Sequence, residues 1–314
     1  MHLDKSCKII LKDCMNLRGD ESCLIITDSE LREIGFQLFK NSSRITRKIK
    51  LVTIPIPETH GSEPPQNVAK EMLKYDVILM PTTKSLSHTR ARENASRKGA
   101  RIASMPGITS DMTKRALNVD FYKIRKINSK LISKLKNKDK ITITTKKGTN
   151  IAFYAKGRRW IGDDGIYTKK GAFGNLPSGE IFIAPLENRT NGMIIVDASV
   201  GGIGKVDRDI EIDVRGGFID NISYGKVANA FKKSLKNRLR KNVAELGIGT
   251  NCKAKVTGNV LEDEKVFGTC HIAFGNNLHF GGKVDVHFHV DVVIKNPTIR
   301  ADNILIMENG RIKP

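Results

Sequence analysis

A single tryptophan and an aromatic content of 6% leave this chain of 314 residues poor in rings. No apolar run approaches the roughly 20 residues needed to cross a bilayer, so a membrane-spanning role is not expected. The five cysteines, Cys7, Cys14, Cys23, Cys252 and Cys270, are odd in number, and no two are spaced as CxxC. That argues against a disulfide scaffold and a zinc knuckle. The opening, MHLDKSCKIILKDC, holds only a three-residue apolar run, Ile9–Leu11, edged by Lys8 and Lys12. Such a run is too short for a secretory leader, and a cytoplasmic chain is expected.

Acidic side chains are the scarcer sign, 33 Asp and Glu against 54 Lys and Arg, for a net charge of +21. A surplus of this size raises nucleic acid as a partner. The basic residues are spread along the chain, with mild clusters at 44–50, 123–147 and 232–241. No recognition motif accompanies them, and rings that would stack on bases are few. A lysine-rich solvated surface accounts for the charge, and nucleic acid is not the expected partner. Hydrophobic residues at 39% suffice for a core at this length.

The first third alternates short apolar runs with helical patterns. Cys23–Thr27 reads as a strand. Ser29–Asn41 reads as a helix, with Leu31, Ile34, Leu38 and Phe39 at helical spacing and Asp28 or Ser29 as its cap. Strands Leu51–Ile56, Val77–Met80 and Arg101–Ser104 alternate with helices Asn67–Leu73 and Ser87–Lys98, and the proline-rich stretch 55–65 is a loop. This alternation implies a parallel sheet with helices on its faces. A basic helix, Phe121–Asn137, leads out of it. From Lys140 the pattern changes to a hairpin turning at Lys147-Gly148. Strand-like runs follow at Glu180–Ala184, Met193–Val196, Ile210–Val214, Phe218–Tyr224 and Val284–Ile294, interrupted by one helix, Val227–Asn242. The expected architecture is α/β. A parallel-sheet α/β domain spans 1–138, and a β-rich α+β metal-binding domain spans 139–314.

The residues able to bind metal crowd into the second half. Four of the seven histidines, His271, His279, His287 and His289, lie close together. In VDVHFHVDVVI, period-two alternation places His287, His289 and Asp291 on one face of a strand, and Val286, Phe288, Val290 and Val292 on the other. Two imidazoles and a carboxylate on one face must be hydrated or coordinate an ion, and such donors suit Zn, Mn, Co or Fe. Glu180 in NLPSGEIFIAP, Glu245 in AELGIGTN and His271 in DEKVFGTCHIAFG sit in glycine-rich apolar sequence, where an unpaired carboxylate is costly. Cys270 reads as packing and Trp160 as core. The Gly201-Gly202-Ile203-Gly204 run has no helix after it and is a weak nucleotide signal. Gly281-Gly282 reads as a tight turn before the histidine-bearing strand.

Taken in order, NLPSGEIFIAP, AELGIGTN, DEKVFGTCHIAFG and HFHVD resemble the aminopeptidase T family of metallopeptidases. The resemblance implies a hydrolase, a homodimeric metalloprotease that removes N-terminal residues from peptides. It implies two divalent ions, Zn, Co or Mn, held by Glu180, Glu245, His271, His289 and Asp291. Such ions polarise the scissile carbonyl and lower the pKa of a bridging water. A carboxylate then takes that water's proton. The nearest match to the family's base is Glu264, two residues further from His271 than the family spacing. The family's tyrosine, seven residues after that histidine, is replaced by Leu278, and the chain is shorter than the peptidase members. Asp263 is a candidate sixth ligand or support for a metal-bound histidine, and His287 a support or substrate-pocket residue.

SLSHTRAR and GARIASMPGIT are similar to a shorter branch, the dihydroxypyridine ring-cleaving dioxygenases. That branch implies one Fe(II) held by His and Asp, a small-molecule substrate, and His88 as acid or base. The metalloaminopeptidase is the leading expectation. The dioxygenase, or another small-molecule metalloenzyme on the same scaffold, is the alternative.

Overall fold

The computed structural model describes residues 2–313. It divides into two compact units, each assembled from two segments. The first runs to Tyr122 and resumes over Asp163–Ser178; the second takes Lys123–Gly162 and the chain from Gly179 onward.

The first unit is a parallel sheet with helices. Its strands are β1 (Cys23–Asp28), β2 (Ile49–Ile54), β3 (Val77–Met80), β4 (Arg101–Ser104) and β8 (Phe173–Asn175), in the order β2-β1-β3-β4-β8. Every residue of β1, β3 and β4 is buried, which explains why they read as unbroken runs rather than alternating ones. The helices are α1 (His2–Ile9), α2 (Arg32–Ser42), α3 (Gln66–Met72), α4 (Arg90–Arg97) and α5 (Ser110–Arg115). Leu24, Ile26, Ile78 and Ile102 from the sheet pack with Val68, Met72, Ala91 and Ala95 from α3 and α4.

Three features depart from the sequence reading. The helix expected from Ser29 starts at Arg32, because the Asp28 carboxylate accepts from Leu31 N at 3.2 Å and from the Thr83 hydroxyl at 3.0 Å. A π-helical segment, Ile10–Cys14, follows α1 and buries Ile10, Leu11 and Cys14. Finally, β8 pairs with β4, with Ile102 opposite Phe173. Segment 163–178 therefore returns to the first unit, so the chain does not change unit once near residue 138.

Helix α6 (Phe121–Leu135) precedes two antiparallel sheets. The larger has the order β14-β13-β10-β6-β5-β18-β19-β20. Its strands are β5 (Lys140–Thr144), β6 (Asn150–Tyr154), β10 (Asn191–Val196), β13 (Ile210–Arg215), β14 (Phe218–Ile222), β18 (Thr298–Ala301), β19 (Ile304–Glu308) and β20 (Arg311–Ile312). The other has the order β12-β11-β17-β16-β15-β9-β7. It comprises β7 (Ile161–Asp163), β9 (Glu180–Ile183), β11 (Ser199–Val200), β12 (Gly204–Lys205), β15 (Val243–Gly249), β16 (Thr269–Gly275) and β17 (His289–Lys295). Ile141, Phe153, Ile194 and Ile212 of the first sheet share one core with Leu246, Ile272, Phe274 and Val292 of the second, and Trp160 and Cys270 belong to it. One face of the second sheet is thus committed to the core, which leaves its other face for polar groups. Among the described residues no helix is long and apolar enough to cross a membrane.

Two expected elements are shorter than read. Helix α7 (Lys226–Ser234) stops well before Asn242: Leu235 leaves helical backbone, and Asn237 starts a separate turn by accepting from Arg240 N at 3.0 Å. The strand expected from Val284 begins at His289. Phe288 N donates to Val286 O at 2.7 Å, a γ-turn centred on His287 that breaks the alternation. His287 is exposed and outside the ladder.

Candidate metal centre

Residues directly opposite on antiparallel strands share a face. In the second sheet Glu245 lies opposite Ala273, and Ala273 opposite Asp291; Gly247 lies opposite His271, Gly249 opposite Glu180, and Gly275 opposite His289. All five side chains named from the resemblance therefore rise from the face turned away from the core, over a floor of glycine and alanine. A β-bulge is needed for this. Val243 and Glu245 would share a face in a regular strand, but Val243 pairs with Phe274 and Glu245 with Ala273. The extra residue, Ala244, sends Val243 into the core and Glu245 to the site.

The donor atoms meet closely. His271 Nε2 stands 3.3 Å from Glu180 Oε2 and 3.4 Å from Glu245 Oε1. His289 Nε2 is 3.5 Å from Glu245 Oε2 and 3.6 Å from Asp291 Oδ1. Single donor atoms of Glu245, His271 and Asp291 all lie within 4.8 Å of one another. Four of the five side chains are buried, and His289 is 33% exposed at the mouth. Its Nδ1 lies 2.9 Å from the Asn276 carbonyl. A carbonyl oxygen can only accept, so Nδ1 carries a proton, and Nε2 is the ring atom turned toward Asp291 and Glu245, the one available to an ion. Beside it, Phe280 meets the His289 ring edge-on at 6.0 Å and the Phe182 ring at 5.6 Å, forming an aromatic wall.

Other residues fall differently from the sequence reading. Glu264 accepts at 2.5 Å from Lys265 Nζ, which also donates to Glu180 Oε1 at 2.5 Å. Asp263 accepts from Thr257 N at 2.6 Å and Gly258 N at 2.9 Å, so it holds a loop rather than a metal or a histidine. Leu278 is exposed in the short 3-10 turn that ends at Phe280. His88 belongs to the first unit, exposed one residue before Thr89, whose hydroxyl caps α4 by accepting from Arg92 N at 3.2 Å. Lys265 and Phe280 carried no sequence signal: a lysine in an acidic string reads as surface, and a lone phenylalanine as loop.

The electrostatics are those of a cation site. Burial opposes charge on His271, but Glu245, Glu180 and Asp291 outweigh it and raise the imidazole to about 9. Burial likewise opposes charge on His289, and Asp291 and Glu245 lift it to about 10. Asp291 is disfavoured by burial yet held down to about 2 by His289 and His271. Burial pushes Glu180 up to about 8 against the pull of Lys265. The donor separations of 3.3–3.6 Å exceed good hydrogen bonds. They match the roughly 3.0–3.6 Å between ligands that each sit about 2.0–2.2 Å from one ion. Glu180 Oε2 and His271 Nδ1 are buried without a hydrogen-bond partner. Two imidazoles and carboxylate oxygens are donors that suit a borderline divalent metal, and the site fits one.

Gly247 makes the space for His271. A Cβ there would stand 1.9 Å from His271 Nε2. Gly247→Ala is expected to push the ring off the cluster and weaken metal binding by at least about 10-fold, comparable to losing the support of a ligand. Metal titration of the folded variant checks this; unchanged affinity would show that the ring does not depend on the bare backbone beneath it.

A family model described as NicX: 2,5-dihydroxypyridine 5,6-dioxygenase matches residues 41–314. Among solved structures, the 2,5-dihydroxypyridine dioxygenase from Pseudomonas putida KT2440 is similar with a TM-score of 0.83 and 18% identity, covering 99% of this chain and 96% of that one. Wild-type AmpT from Thermus thermophilus is similar with a TM-score of 0.74 and 16% identity, covering 100% of this chain and 99% of that one. At these identities both likenesses are of fold. No curated protein sequence matches the chain.

Proposed function

This chain belongs to the 2,5-dihydroxypyridine 5,6-dioxygenase family, and on that premise we propose that it is a metal-dependent dioxygenase that opens a hydroxylated nitrogen-containing aromatic ring. The observation that carries this reading is the convergence of His271, His289 and Asp291 on one sheet face of a chain from this family. Two histidines and one carboxylate are the donor set of non-haem Fe(II) oxygenases, and Glu245 is a fourth donor within reach. When bound, Fe(II) supplies the redox chemistry that lets O₂ react with an electron-rich ring. The protein's own residues do the rest. Asn276 fixes the His289 tautomer, Gly247 seats His271, and Phe280 with Phe182 offers an apolar, aromatic side to the site for a ring substrate.

The aminopeptidase reading draws on Glu180 and Glu245, both turned to the cluster. It needs a carboxylate free to take a proton from water, and its candidate, Glu264, is ion-paired to Lys265. That pairing favours the dioxygenase. The test is to reconstitute the protein with Fe(II) without air, then supply 2,5-dihydroxypyridine and O₂. O₂ uptake matched to loss of the ring's absorbance is expected. No uptake, with hydrolysis of aminoacyl chromogenic substrates under Zn, Co or Mn, would reverse the preference.

A further inference from the structure

The cluster contains one cation that needs no loading. Lys265 is 1% exposed, yet it carries its ammonium to the edge of the donor set and bonds Glu180 and Glu264 at 2.5 Å each. A buried ammonium is tolerated only when paired, and here two carboxylates share the pairing. The backbone around it is fixed from both sides. Lys265 O accepts from Asn251 N at 2.9 Å, and Lys265 N donates to Glu262 O at 2.9 Å. Gly249 lies so close that a Cβ there would stand 2.1 Å from Val266 O. On the other side Asp263 ties the preceding turn to residues 257 and 258. The ammonium is therefore built in rather than swung in.

We propose that Lys265 acts as the second cation of this site, filling the half formed by Glu180 and Glu264 and limiting the cluster to one divalent ion. The inference rests on the metal-centre reading above and concerns only how many ions that centre takes. Four carboxylates, Glu180, Glu245, Glu264 and Asp291, surround the space. A second divalent ion would need Glu180, whose Oε1 is already bonded to Lys265, and the neighbouring Glu264 is bonded to the same ammonium. It would also sit within a few ångströms of a fixed positive charge, where repulsion is strong because little water screens it. What remains is Glu180 Oε2, turned to His271, with Glu245, His271, His289 and Asp291 around a single position. Paired ions suit displacement chemistry such as peptide hydrolysis, whereas one ion suits the proposed oxygenase. On this view Lys265 is a positioning residue that selects between the two by charge.

The test is a count of ions. Metal-free wild-type protein titrated with Mn(II) is expected to bind one ion per chain, with the six-line electron paramagnetic resonance signal of an isolated Mn(II). Lys265→Met keeps the apolar stem and removes the charge; it is expected to bind two, with the signal broadened by coupling. Lys265→Gln, whose amide still donates to a carboxylate, is expected to give the same count if the methionine variant does not fold. Lys265→Arg should stay at one. Two ions in the wild type, or one in a folded neutral variant, overturns the inference and leaves the metal centre standing. No ion in the wild type overturns the metal centre and this inference with it.

Discussion

Asp291→Ala is expected to strip the metal from the protein and abolish turnover together. Asp291 is buried on β17, two residues after His289 on the same face, with Oδ1 3.6 Å from His289 Nε2. It is also what holds the cluster's charge: His289 and His271 keep it ionised down to about 2 against the cost of burial. Removing it deletes a bond to the ion and leaves two imidazoles facing one carboxylate fewer. Loss of residues that merely support a ligand costs about 10–100-fold in affinity, so loss of a ligand should exceed that, on the order of 10³-fold or more. His287→Ala is the control. It removes an imidazole two residues from His289, but from an exposed γ-turn, and should leave metal content unchanged. Elemental analysis after dialysis, with O₂ uptake alongside, reads both. Full metal content in Asp291→Ala would mean the centre has been placed on the wrong residues, and equal losses in the two variants would mean that the γ-turn does not separate His287 from the site.

The largest expected effect on stability lies far from the metal, at Glu21→Ala. Arg101 opens β4 with its guanidinium only 6% exposed, and it grips Glu21, itself 8% exposed, through two bonds of 2.8 and 2.7 Å. Its remaining donors reach Met15 O at 3.0 Å and Asn16 O at 3.2 Å, so one side chain ties the end of the π-helical segment to the sheet. Breaking a buried pair from one side strands the other charge, at a cost of about 3–5 kcal/mol. Urea unfolding should show a loss of that order, whereas Glu21→Leu with Arg101→Met should cost much less because no charge is stranded. The Arg101 bond holds Glu21 below the usual carboxylate range despite burial. A depressed folded pKa means the stabilisation is present above the unfolded value, about 4.3, and fades as pH falls through the folded one. A wild-type midpoint matched by Glu21→Ala at neutral pH would show that the pair is not what fastens this corner.

Much of this architecture was legible where burial leaves a chemical trace. CLIIT, VILM and RIAS stand out because strands covered on both faces need no polar residues, and the change at Lys140 is visible because antiparallel strands alternate. HFHVD gave His289 and Asp291 their shared face, and the ordered strings gave Glu180, Glu245 and His271. What escaped depends on partners rather than on local pattern. β8 is three unremarkable residues, FGN, and becomes a strand only because β4 offers an edge. The bulge at Ala244 is set by pairing with β16, and no spacing within VAELGIG announces it. Asp263 looked like a ligand because acids near a metal motif do, but its neighbours' N–H groups claim it first. Lys265 was hidden by its own kind among 54 basic residues, since only burial distinguishes it.

The interleaving of the two units bears on how the chain emerges from the ribosome. Strands β1 to β4 are delivered early, but Phe173–Asn175, which closes the β4 edge, comes only after residues 123–162 have been made. At about 5–20 residues per second that interval of synthesis lasts roughly 2–8 s. Throughout it, the nascent sheet presents an uncovered parallel edge, the feature that most readily recruits a strand from another chain. Translation speed and chaperone access over this stretch should therefore govern the yield of folded protein more than they do later, and a chain severed after residue 138 would keep that edge open permanently.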